Sequence, residues 1–220
     1  MSAEETTPND SPAPGLRELK KQMTRDGIAA AAFQLTLEKG LDHVTIEEIS
    51  RIAIVSPRTF SNYFSSKEEA VVSAGAQEPE QFVPTFREAL QEAPPLQALR
   101  EVFSDFFMNR TDEQLDHIRE MLALVEQYPS LLDVQTARFG NIEAELRAVV
   151  AEHTGTDAET DMYPWLVASA GVAGIKAALR VWGSADDGRD RLVKLVHEAL
   201  NLFSEGLPVP AGAGGGAGRA

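Results

Sequence analysis

Thr45 to Glu69 reads TIEEISRIAIVSPRTFSNYFSSKEE, and this stretch decides the fold. Thr45 followed three residues later by Glu48 forms a capping box, in which the hydroxyl accepts from the Glu48 amide and the carboxylate reaches back. The spacing predicts a short helix with Ile46, Ile49 and Ala53 on its buried side. Ser56 then caps a following helix that has Pro57 at its first position, where a missing N–H costs nothing. Phe60 and Phe64, four residues apart, share one face of that helix, with Tyr63 beside them. Two short helices joined by a tight turn, the second anchored from behind by aromatics, outline a helix-turn-helix.

Working outward, Ile28, Ala32 and Leu35 recur at helical spacing, and Ala29, Phe33 and Leu37 widen the stripe. They predict a preceding helix over 24–39 that stops at Gly40. Ser66 with Glu69 reads as a second capping box opening a helix that reaches about Gln77. Helical periods then predict helices near 95–109, 112–127, 129–153, 161–182 and 188–205, with a short one over Pro84–Leu90 and a start signal at Thr111 with Gln114. The expected fold class is all-α with about nine helices and no sheet.

The 220 residues contain no cysteine, which removes disulfides, thiolate zinc sites and cysteine nucleophiles. His43, His117, His153 and His197 have no ligand-spaced partners, so no metal is expected. The acidic loop Asp186–Asp190 fits a polar turn better than a calcium loop, since the twelfth position from Asp186 is His197 instead of glutamate. No apolar run is expected to cross a membrane, and the acidic, polar N-terminus lacks a leader pattern, so a cytoplasmic protein is expected.

Net charge is −14, which argues against a polyanionic partner until its distribution is considered. Residues 15–75 hold eight Lys/Arg and eight acids, whereas residues 76–220 hold twelve against twenty-three. The acidity therefore lies outside the first folded module. Four regions are expected: an unfolded tail over 1–14, a first helical module over 15–75, a larger helical domain over 76–207, and an unfolded Gly/Ala tail over 208–220.

A helix-turn-helix offers duplex DNA the outer side and amino end of its second helix, where free amides and the dipole favour phosphate. Here that edge presents Ser56, Arg58, Thr59 and Asn62: arginine can fork onto guanine, asparagine onto adenine, and hydroxyls onto either. Thr45 and Lys67 are expected to hold backbone phosphate. Arg17, Lys20, Lys21 and Arg25 are placed to follow the backbone or enter a minor groove.

Residues 20–75 closely resemble the DNA-binding domain of TetR-family regulators. The features that carry the likeness are the face Ala31–Leu35, Glu38–Gly40, Thr45-Ile46, Val55-Ser56, Thr59, Tyr63-Phe64 and Ser66-Lys67-Glu68. The resemblance implies a symmetric dimer through the last two helices and a ligand cavity in the C-terminal domain whose occupation releases DNA. It also implies that Thr45, Arg58, Thr59, Tyr63 and Lys67 touch the operator, Tyr63 through phosphate. Residues 161–206, with Trp182 and Phe203-x-x-Gly206-Leu207, are weakly similar to C-terminal domains that bind acyl-CoA-like ligands. The sequence departs from the family at Ile54, where a glycine is usual. A β-branched residue at positive φ costs about 1–2 kcal/mol, so the turn is expected to avoid that region. Ser50 replaces the usual alanine and puts a hydroxyl near a packed face.

For the larger domain, Phe103, Phe107, Met121, Val125, Phe139 and Trp165 are candidate linings of a pocket for a small apolar effector, with no cofactor expected. Ala168, Gly171, Gly174 and Ala178 form a small-residue band that permits close helix approach. With Leu195, Leu200 and Phe203 they are candidates for a four-helix homodimer interface; packing within one chain is the other reading. The function expected is a ligand-responsive, sequence-specific repressor on a palindromic operator. The alternative is a helical interaction module whose helix-turn-helix has lost DNA. An enzyme is disfavoured, because the chain has no phosphate loop, no nucleophile elbow and no clustered carboxylates or histidines.

Overall fold

A computed structural model describes residues 15–75, 79–185 and 187–209. The expected tail over 1–14, residues 210–220 of the expected C-terminal tail, Gln77 and Asp186 lie outside the described residues. Among the described residues there are ten α-helices, one 3₁₀ turn and no strand. The chain divides into two compact units between Ala74 and Gly75.

The first unit contains α1 (Leu16–Lys39), a 3₁₀ turn (Leu41–His43), α2 (Ile46–Ile52), α3 (Pro57–Tyr63) and α4 (Lys67–Ser73). Its core is Ile28, Ala32, Phe33, Leu41, Ile49, Phe60, Phe64 and Val71, all buried. α1 begins eight residues before the expected residue 24, because LRELKKQM contains only good helix formers and no breaker. α4 ends at Ser73, earlier than expected.

The turn between α2 and α3 corrects the expectation for Ile54. The Val55 N–H donates to Ser50 O at 2.9 Å and the Ile54 N–H to Arg51 O at 3.4 Å, the two bonds of a Schellman motif. That motif requires a left-handed residue between them, and Ile54 takes φ 56°. Satisfying the last carbonyls of α2 outweighs the local strain. α8 (Pro129–Thr154) and α10 (Arg189–Ser204) close with the same long bond, Thr156 N–H to Ala151 O and Leu207 N–H to Leu202 O. There the left-handed positions are Gly155 and Gly206.

The second unit contains α5 (Pro79–Glu92), α6 (Pro95–Met108), α7 (Asp112–Gln127), α8, α9 (Met162–Gly183) and α10. α5 is longer than the expected Pro84–Leu90 segment and carries Pro84 inside it, a proline tolerated at the loss of one helical hydrogen bond. α9 is the central element, packed along α8 and α10 and touching α6 and α7. By length and composition it is apolar enough to cross a membrane, contrary to the sequence expectation. The buried side of α9, with Val167, Ala168, Val172, Ile175 and Ala178, instead forms the middle of this unit's core.

Packing within the chain accounts for the small-residue band of α9. Gly171 is pressed against α6, where a Cβ would lie 2.7 Å from Leu99 Cδ1. Gly174 is pressed against α10, where a Cβ would lie 2.9 Å from Leu200 Cδ2. Ala168, Ala178, Leu195 and Leu200 are likewise buried within the one chain, and Phe203 is half-buried. The small residues bring helices of the same subunit together. The apolar side chains that α9 leaves exposed are others, among them Met162, Leu166 and Val181.

Candidate nucleic-acid interface and ligand cavity

α3 is held from behind by Phe60 and Phe64, whose ring centroids lie 5.8 Å apart. Its opposite edge is open: Ser56, Arg58, Ser61 and Asn62 are exposed, and Thr59 is half-buried. Ser56 Oγ accepts from the Thr59 N–H at 3.0 Å and shares a hydrogen with Thr59 Oγ1 at 2.8 Å. The Thr59 hydroxyl is thus already engaged at the helix start. Arg58 and Asn62, four apart, stand on one face with nothing covering them within this unit.

Thr45 is exposed and caps α2 as expected. Its partner Glu48 does more than the sequence suggested. One carboxylate oxygen, Oε2, accepts from the Thr45 N–H at 3.2 Å, from Thr45 Oγ1 at 3.0 Å and from Lys39 Nζ at 2.6 Å. The bond from Lys39, then that from the Thr45 hydroxyl, hold the carboxyl below its ordinary 4.5. The end of α1 is thereby tied to the start of α2. The nine-residue separation hid this link, since sequence spacing reveals only capping within one helical turn.

Lys67 was expected on phosphate. In the folded unit its ammonium donates to Leu41 O at 2.7 Å and Val44 O at 3.0 Å, fixing the chain that enters α2. Ser66 caps α4, but Glu69 Oε2 accepts from the Ser65 N–H and Oγ, both at 2.7 Å, so the box closes one residue earlier than predicted. Tyr63 is half-buried. Arg17, Lys20 and Lys21 are exposed on the first turns of α1. Arg25 differs from them: it is half-buried, with its guanidinium 4.7 Å from the Phe64 ring centroid. A stacked cation packs the unit, so it is not a freely reaching arm.

The second unit holds a partly open, mostly apolar cavity of about 180 Å³, with Arg138 in its wall. Of the candidates, Phe103, Phe107 and Phe139 are in its wall, with Phe82, Phe106 and Ile142. Phe106 was readable, since Phe103, Phe106 and Phe107 share a face at i, i+3, i+4. Three candidates fall elsewhere. Met121 is buried in α7 but lines neither this cavity nor the neighbouring groove, whose walls include Val125. Trp165 lies on the surface, 38% exposed, with Arg147 stacked 3.7 Å from its ring centroid. It sits seven residues before Val172, on the same side of α9 as the cavity lining but about two turns nearer the start of the helix.

Comparison with known proteins agrees with this arrangement. Residues 28–73 match the family model described as "Bacterial regulatory proteins, tetR family", and residues 93–208 match the "MftR C-terminal domain" model. The chain is 33% identical over 181 residues to the HTH-type transcriptional regulator TcmR of Streptomyces glaucescens, covering 80% of this chain and 77% of that protein. Among solved structures it is similar to SmeT, the repressor of the Stenotrophomonas maltophilia multidrug efflux pump SmeDEF. That match has a TM-score of 0.53 and 22% identity, and covers 86% of this chain and 96% of the other. NalD, the secondary repressor of the MexAB-OprM pump in Pseudomonas aeruginosa, matches with a TM-score of 0.54 and 19% identity, over 82% and 96% of the two chains. With a helix-turn-helix that matches in the first unit and a C-terminal model that spans more than half of the sequence, the chain belongs to the TetR family of transcriptional regulators.

Proposed function

We propose that this regulator is a cytoplasmic homodimer that represses transcription from a palindromic operator and is released by a small, largely apolar effector. The observation that carries the reading is the open edge of α3. Arg58 and Asn62 stand exposed on a helix whose other side is locked by Phe60 and Phe64, next to a capped amino end. Arg58 reads guanine, Asn62 reads adenine, and Ser56, Thr45, Tyr63, Arg17, Lys20 and Lys21 supply phosphate and sugar contacts. One such helix reads only a few base pairs, so useful specificity needs two of them, about 34 Å apart on a two-fold site. The pairing surface is the outward stripe of α9, Met162, Leu166, Ala173 and Val181, continued by Phe203 of α10. An aromatic-lined cavity in the same unit suits an apolar effector.

Electrophoretic shift on the duplex upstream of the chain's own coding sequence, across salt concentrations, tests the reading. Specific binding should fall steeply with salt, and Arg58→Ala should weaken it by about 1–3 kcal/mol while relaxing base preference. Absence of salt-dependent binding, with or without candidate effectors, would leave a helical interaction module in its place.

A further inference from the structure

Beside the apolar cavity lies a larger open groove of about 770 Å³, and Phe139 and Leu179 belong to the walls of both. The groove is the more polar of the two: Arg119, Lys176 and Arg180 face it against the single acid Glu126, whereas Arg138 is the one charged residue lining the cavity. Two of the groove's cations, Lys176 and Arg180, lack a carboxylate partner among the described residues, as do Arg100 and Lys194 of the same acidic unit, but of these four only the first two line the groove. Arg87, Arg119, Arg147, Arg189 and Arg191 are each ion-paired with a carboxylate. Among the described residues, neither Lys176 nor Arg180 is in an ion pair. They lie four apart on α9 and so share one side of it. The Lys176 ammonium is 5.4 Å from the Phe139 ring centroid, which places positive charge at the boundary between groove and cavity.

Size points the same way. Small-molecule sites typically enclose roughly 300–1,000 Å³, and the apolar cavity alone falls short of that range while the groove lies within it. A ligand of ordinary size seated in the aromatic cavity would extend past the shared wall at Phe139 and Leu179 into the groove that Lys176 and Arg180 face. We propose that the effector is an organic anion, a ring or hydrocarbon body seated among Phe103, Phe107 and Phe139 and one carboxylate or sulfonate held by Lys176 and Arg180. This rests on the effector-binding reading of the second unit and adds a charge requirement to it.

A matched pair of probes separates the two ideas. 1-Anilinonaphthalene-8-sulfonate and N-phenyl-1-naphthylamine share the aromatic body, and only the first carries an anion. In fluorescence titrations of the full chain at low salt, the sulfonate should bind at least about 10-fold more tightly, as expected for a charge-assisted contact. Its affinity should fall by about 10-fold or more in a Lys176→Gln/Arg180→Gln variant, while the neutral probe binds as before. Rising ionic strength on the unmodified chain should narrow the gap between the probes without any substitution. Both replaced residues are exposed, and coincident thermal melts confirm folding. Equal affinity of the two probes, unchanged by the double substitution, overturns the anion requirement and leaves an apolar effector standing. Failure of both probes to bind the folded chain overturns both. DNA binding is read separately by the shift assay.

Discussion

Replacing Ile54 by glycine relieves a strain that the Schellman turn imposes. Ile54 is 91% exposed, so its side chain contributes almost no burial, and the change acts through the backbone alone. A non-glycine residue in the left-handed region costs about 1–2 kcal/mol. Glycine returns part of that, because the unfolded chain gains freedom worth roughly 0.5–1 kcal/mol. The net expectation is a stabilisation of about 0.5–1 kcal/mol, or a rise in Tm of about 1–4 °C for a chain of this size. Thermal and urea melts of the full chain measure it. Ile54→Ala is the control: it keeps the left-handed conformation and removes only exposed atoms, so it should stay within about 0.5 kcal/mol of the parent. If Ile54→Gly melts at or below the parent, the turn is not strained, and the account of its two closing hydrogen bonds is wrong.

Other outcomes follow from neighbouring residues. Ser50 is buried and its Oγ has no hydrogen-bond partner among the described residues, so Ser50→Ala should stabilise the chain by about 1 kcal/mol in the same melts. Lys67→Met keeps the aliphatic stem but strands the carbonyls of Leu41 and Val44; stability should fall by about 1–3 kcal/mol, whereas a pure phosphate contact would change salt-dependent DNA affinity and leave the melt alone. Glu48 has a lowered carboxyl pKa, so its contribution is present above the ordinary 4.5 and is lost as pH falls through the folded value. The Tm gap between the parent and Glu48→Gln, open at pH 7, should therefore close as pH drops below that range; a gap constant from pH 7 to pH 3 would contradict the Lys39 and Thr45 bonds as its source.

What the sequence revealed was whatever a single helical turn contains. Thr45 with Glu48 and Thr111 with Gln114 are capping boxes in the structure, because donor and acceptor are three residues apart in any helix that starts there. The aromatic backing of α3 was equally legible from the spacing of Phe60 and Phe64. Longer-range facts were not. Glycine and alanine on α9 announce that something approaches closely, but the pattern is the same whether that something is Leu99 and Leu200 of one chain or a second copy. Trp165 and Phe139 are both aromatics in helices, and only the assembled core shows that one faces a cavity and the other carries Arg147 on the surface. Lys67 resembles a surface lysine until the 3₁₀ turn folds back beneath it. At Ile54 the sequence suggested a turn that avoids positive φ, because the hydrogen bonds that favour the left-handed conformation were invisible without the backbone.

Because α9 commits its glycines and alanines to neighbours in the same subunit, its outer stripe is relieved of any duty to the fold. On the proposed pairing through this stripe, exchanges at Met162, Leu166 or Val181 would alter who recognises whom while the interior stays as it was. In a cell holding many relatives with the same architecture, that separation would let a regulator that pairs in this way acquire an exclusive partner, itself, by surface changes alone.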